Sequence, residues 1–116
     1  AVCRLPVDAA LPNWAWAGEL TSITSSDDEL SLVCAADAVP EDVVHSGGWR
    51  AFRVRGPLDF ELVGILAGIS TALADAGVSI FAISTYDTDF VLVQQSKLVQ
   101  AINALDSAGY AVVELT

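Results

Sequence analysis

The clearest hydrophobic pattern lies in the second half of the chain. Trp49-Arg50-Ala51-Phe52-Arg53-Val54-Arg55 comes to alternate apolar with basic residues, which predicts a half-buried strand. Gly56-Pro57 breaks it. Leu62, Ile65, Leu66, Ile69 and Leu73 then recur at helical spacing, so one stripe of a helix faces a core. Asp59 stands where an N-cap is expected, with Glu61 in the first turn facing the positive helix end. Gly77 closes the helix as a left-handed C-terminal cap. Val78 to Thr85 and Phe90 to Val93 are rich in β-branched and aromatic residues, and the polar Tyr86-Asp87-Thr88-Asp89 between them predicts a hairpin turn. Ser96 caps a second helix with Leu98, Ala101, Ile102 and Leu105 on its apolar stripe. Gly109 ends that helix, and Tyr110 to Leu115 returns as a strand. The order over 49–116 is β-α-β-β-α-β, the ferredoxin-like arrangement of an antiparallel sheet with helices on one face.

Residues 1–48 are less regular. Glu19 to Thr24 and Leu30 to Cys34 read as strands joined across Ser25-Ser26-Asp27-Asp28-Glu29, with a short strand at Val2 to Leu5 before them. Pro6 to Trp16 reads as a loop or single helical turn. Pro40 to Val44 reads as one more helical turn, with Pro in the tolerated first-turn position. The expectation is an α+β protein of two ferredoxin-like subdomains, a degenerate one over 1–48 and a full one over 49–116. The first lacks full helices and shows no clear closing strand. So short a segment buries too little to be stable alone.

Composition narrows the function. The 116 residues are 53% hydrophobic, which fits a folded globular protein, and the net charge is −10. Five basic residues in all are too few for a nucleic-acid partner, which needs clustered Lys and Arg. Arg50, Arg53 and Arg55 form the one basic group. Arg53 and Arg55 share a strand face, and a solvated face is a simpler reading of them than an anion site. No leader pattern and no apolar run near the roughly 20 residues that span a bilayer is evident. With Cys3 and Cys34 far apart in sequence, the expectation is a reduced, cytoplasmic protein with no membrane partner; a disulfide requires their strands to be neighbours. His45, the single histidine, sits in an expected loop with no nucleophile elbow and no paired metal-ligand spacing around it. Asp27-Asp28-Glu29 and Asp87-x-Asp89 lack the length and glycine of a calcium loop. No enzyme, metal or cofactor chemistry can therefore be assigned.

A resemblance adds what the pattern does not. Gly64-Ile65-Leu66 at the helix start and Ala74-Asp75-Ala76-Gly77-Val78-Ser79-Ile80 at its end resemble the ACT domain. In that pattern a glycine opens the helix and a Gly-Val-x-Ile segment begins the next strand. The hairpin Ile83 to Val93 is similar to the subgroup of paired ACT domains that includes the cytosolic arginine sensors called CASTOR proteins and bacterial relatives. The resemblance implies a regulatory or sensing module, not an enzyme, that binds an amino acid or similar small metabolite near an inter-domain or inter-subunit contact. It places the site at Leu58, Asp59, Phe60, Leu62, Val63, Gly64 and Ile65 in the loop, with Thr85, Tyr86 and Asp89 in the hairpin. Helix-start amides suit a carboxylate there. Gly64 serves either helix–sheet packing or close approach of a ligand. Asp59 and Asp89 suit an ammonium or guanidinium group, or serve simply as cap and turn residues. Asp89 aligns with the acidic residue that contacts the cationic ligand in the sensors. Leu62 departs from them, since an acidic residue stands there, and Glu61 lies about 100° away around a helix. The other reading is a homodimer or partner-protein module that has kept the fold and lost the ligand.

Overall fold

β-branched and leucine-rich runs form the strands of two separate sheets in the computed structural model, which describes residues 1–56, 59 and 61–114. The chain divides into two compact units, Ala1–Trp49 and Arg50–Thr116.

In the first unit the strands are β1 (Val2–Leu5), β2 (Ser22–Ser25), β3 (Leu30–Val33) and β4 (Val44–Ser46), ordered β2-β3-β1-β4. β1 runs antiparallel to both β3 and β4. Single 3-10 turns at Asn13–Trp16 and Ala36–Ala38 stand between strands. Cys3, Ala15, Leu30, Leu32 and Cys34 are buried together. Two expectations change. In place of the helical turn expected over Pro40 to Val44, Pro40 to Val43 make a tight turn closed by Val43 N–H to Pro40 O at 3.1 Å. The residues after it form β4, the closing strand the pattern did not reveal. All three residues of β4 are exposed, so it has no apolar alternation to read. His45 therefore lies on a strand, where its Nδ1 is 2.7 Å from Val43 O.

The second unit holds β5 (Trp49–Arg53), α1 (Ile65–Asp75), β6 (Phe81–Ser84), β7 (Asp89–Gln94) and α2 (Leu98–Ser107). Its sheet has the order β5-β7-β6, with β6 and β7 antiparallel and Ile83 opposite Phe90. Ile69 and Leu73 of α1 meet Ala101 and Leu105 of α2 over Val91 and Val93 of β7. Phe52 and Val54 join that core, so both helices cover the same face. The Gln100 amide donates to Ala76 O, tying α2 to the end of α1. The end of α1 follows expectation. Gly77 takes φ +73°, Gly77 N–H bonds Ala74 O at 3.0 Å, and Val78 N–H bonds Leu73 O at 2.9 Å, a Schellman closure.

The helix starts differ from expectation. α1 begins at Ile65 with Gly64, not Asp59, at its N-cap. Ser96 lies inside a 3-10 turn (Gln95–Lys97), and Lys97 precedes α2. Residues 110–114 form no strand, although Val112 packs on the core; position 115 lies outside the described residues. The sheet is thus three-stranded among the described residues, and the fold is mixed α+β with antiparallel pairing.

Candidate functional site

The loop before α1 is shaped by two residues. Asp59 Oδ1 accepts the Glu61 N–H at 2.9 Å, and its carbonyl accepts Leu62 N–H at 3.1 Å. Its side chain organises a turn well before the helix instead of capping it. Gly64 takes φ +81°, a left-handed conformation that β-carbons disfavour. A Cβ there would meet nothing within 4 Å, so its need is conformational and not one of close packing. The first helical bond is Gly68 N–H to Gly64 O at 3.0 Å, and no side chain caps the helix. Among the described residues the amides of Ile65, Leu66 and Ala67 have no partner one turn earlier, at the positive end of an 11-residue helix.

Facing that loop is the tip of the β6–β7 hairpin. Ser84 pairs with Asp89 in the register, and its Oγ donates to Asp89 Oδ1 at 2.6 Å. Thr85 N–H donates to Thr88 O at 2.8 Å, closing a four-residue loop. Buried Thr88 fastens this loop to the neighbouring strand. Its Oγ1 donates to Val54 O at 2.6 Å, while Val54 N–H donates to Asp89 O at 3.0 Å. The Thr85 hydroxyl also donates to Thr88 O and accepts from Thr88 N–H, so the hairpin tip is held by hydrogen bonds and not by packing alone.

Between loop and hairpin lies a cavity of about 400 Å³, within the roughly 300–1,000 Å³ of small-molecule sites. It brings together seven of the ten sequence-predicted residues: Asp59, Leu62, Gly64, Ile65, Thr85, Tyr86 and Asp89. Val63 points elsewhere, 89% exposed and outside the lining. Leu58 and Phe60 lie outside the described residues. Leu66, Ala67, Ser84, Asp87 and Thr88 also line the cavity without having been expected. The hairpin register supplies the signal for Ser84, because a residue opposite Asp89 must share its face. Three carboxylates line this cavity, those of Asp59, Asp87 and Asp89, with no basic side chain among the described residues. The arrangement combines helix-start amides that are unbonded among the described residues with one carboxylate in the loop, Asp59, and two in the hairpin, Asp87 and Asp89. It can hold an anionic group and a cationic group of one small molecule.

The remaining candidates are placed elsewhere. Cys3 and Cys34 are free thiols, both buried. Burial, and next the Cys34 thiol beside it, push the Cys3 thiol up to about 11, so Cys3 is not poised as a nucleophile near neutral pH. Among the described residues no group of three or more His, Cys, Asp or Glu side chains is arranged to hold a metal, and no helix is long and apolar enough to cross a membrane.

The profile of the ACT domain family matches residues 44–107, and a profile describing an N-terminal domain matches residues 1–42. A crystal structure of a protein from Agobacterium tumefaciens is 38% identical, with a TM-score of 0.90, covering 97% of this chain and 84% of that one. A protein of unknown function from Vibrio cholerae, described as a possible transport protein, is 24% identical with a TM-score of 0.75. It covers 94% of this chain and 82% of its own, and shows likeness of fold.

Proposed function

The chain belongs to the ACT domain family, and from that premise we propose that the small ligand of this regulatory module is an amino acid or a close analogue. One observation carries the reading: the loop before α1 and the β6–β7 hairpin line a single cavity with uncapped helix amides and three carboxylates. In this reading the ligand carboxylate meets the amides of Ile65 to Ala67 and its ammonium meets Asp89, with Asp59 beside it. Leu62, in place of an acidic residue, removes a partner for a long cationic side chain, so a guanidinium ligand is not the default. The likeness of the hairpin to paired ACT domains, and a cytoplasmic setting, belong to the same proposal. So does the division into a reduced ACT-like half over 1–48 and an ACT domain over 49–116. The role is binding without turnover, as is typical of this regulatory family. Binding shifts the protein towards the arrangement with higher ligand affinity.

A thermal-shift screen of the twenty amino acids tests this. A ligand at a hundred times its Kd adds about 2.7 kcal/mol, a rise of several degrees for a domain of this size. Asp89→Ala is expected to abolish the shift. No shift with any amino acid, or an undiminished one in that variant, contradicts the proposal.

A second reading has its own observation. Leu62 (53% exposed), Val63 (89%) and Tyr86 (80%) present apolar surface beside the cavity. In that reading the face docks a second copy or a partner protein and no metabolite enters. A concentration-dependent sedimentation coefficient that Val63→Asp abolishes, with an unchanged melting temperature in every amino acid, favours it.

A further inference from the structure

A second cavity lies on the other side of the same hairpin tip, and its charge is opposite. It measures about 790 Å³ and is lined by Arg53, Val54, Arg55 and Phe90 on one side and Ala111 and Val113 on the other. It shares Thr85, Asp87 and Thr88 with the first cavity. Two arginines and a single carboxylate, Asp87, stand in its lining among the described residues. The first cavity has three carboxylates and no arginine there.

The strand geometry explains why the arginines converge. Phe52 and Val54 pack on the helix-side core, so Arg53 and Arg55 share the opposite face. Val54 directs its N–H and carbonyl to the hairpin, bonding Asp89 O and Thr88 Oγ1. Arg53, the last residue of β5, then directs its own peptide N–H the other way. That way is open, because β5 is an edge strand and residues 110–114 form no strand beside it. The site therefore offers two guanidinium forks and the backbone N–H of Arg53 at the end of β5. Neither guanidinium is in an ion pair among the described residues, although the chain has 15 acidic residues for five basic ones. Arg50, by contrast, is engaged, donating from Nη1 to Gln95 Oε1 at 2.9 Å.

Two like charges held two residues apart, neither ion-paired among the described residues and with Asp87 as the one carboxylate in the lining, leave a place for an anion between them. Arginine forks match the paired oxygens of carboxylate and phosphate, and Phe90 and Val113 supply apolar walls. We propose that this cleft is a second ligand site that takes a small dianion, a dicarboxylate or a phosphate, between Arg53 and Arg55. It does not depend on what the first cavity binds.

The test is titration of the ¹⁵N-labelled protein with sodium succinate and, separately, sodium phosphate, at an ionic strength fixed with sodium chloride. Saturable shifts are expected at the Arg53 and Arg55 amides and side-chain Nε–H groups. Arg53→Gln or Arg55→Gln, both at exposed positions, is expected to weaken binding by about tenfold, the worth of a hydrogen bond to a charged group. Saturation by succinate alone assigns a dicarboxylate site, by phosphate alone a phosphate site, and by both a general oxyanion site. Linear, unsaturable shifts with both probes overturn the proposal. So does an unaltered titration in the double variant, or nuclear Overhauser contacts that pair the backbones of Ala111 and Val113 with β5.

Discussion

Gly64 and Asp89 are the two residues on which the first cavity depends most. With φ at +81°, Gly64→Ala is expected to destabilise the protein by about 1–2 kcal/mol, read from urea unfolding, even though a methyl group there has room. A cost below a few tenths of that would mean that the glycine serves the ligand alone. Asp89 already accepts one bond from Ser84, so its second oxygen is the one available to a ligand. Cys3 gives a prediction in pH. Its thiol is raised from 9.0 to about 11 in the folded protein, first by burial and then by Cys34. A raised pKa favours the protonated folded form, so its contribution to stability is complete below pH 9 and is lost as pH climbs towards 11. The difference in unfolding free energy between the wild type and Cys3→Ala, in which groups that do not interact with Cys3 cancel, should shrink across that range. A constant difference would contradict the assignment.

At the scale of elements, the helices stand on their buried stripes. Leu73 is fully buried between α1 and the sheet, and Leu73→Ala is expected to cost about 2–5 kcal/mol. Val99, on α2 but 72% exposed, is expected to tolerate Ala within about 0.5 kcal/mol. Paired chemical denaturation of the two variants checks which faces carry the fold. These stripes were legible because a 3.6-residue period survives in composition, and Gly77 was legible because only a left-handed residue ends a helix that way. The start of α1 was not. Leu62 extends the apolar spacing upstream, and Asp59 with Glu61 imitates a cap, yet Gly64 sets the boundary through a backbone angle that spacing does not reveal. β4 was hidden for a different reason. Its three exposed residues owe their strand to pairing with β1, a tertiary fact without a local signature.

For the molecule as a whole, most of the first cavity could be anticipated, because the helix-start loop and the hairpin are each marked in sequence. Ser84 follows only once the hairpin register is set, and Thr88 could not be anticipated, since its role arises from a bond across to Val54. The arginine cleft was half visible: alternation put Arg53 and Arg55 on one face, but only the unpaired edge of β5 makes a cavity of them. The central claim is that an ACT domain holds its ligand between the α1 loop and the hairpin tip. The most direct measurement is amide shift mapping on the ¹⁵N-labelled full chain, using the amino acid that gives the largest thermal shift. The account predicts saturable changes at Gly64 to Ala67 and at Ser84 to Asp89, absent in Asp89→Ala. Saturable changes confined to residues 1–48, or none at the helix start, would contradict it.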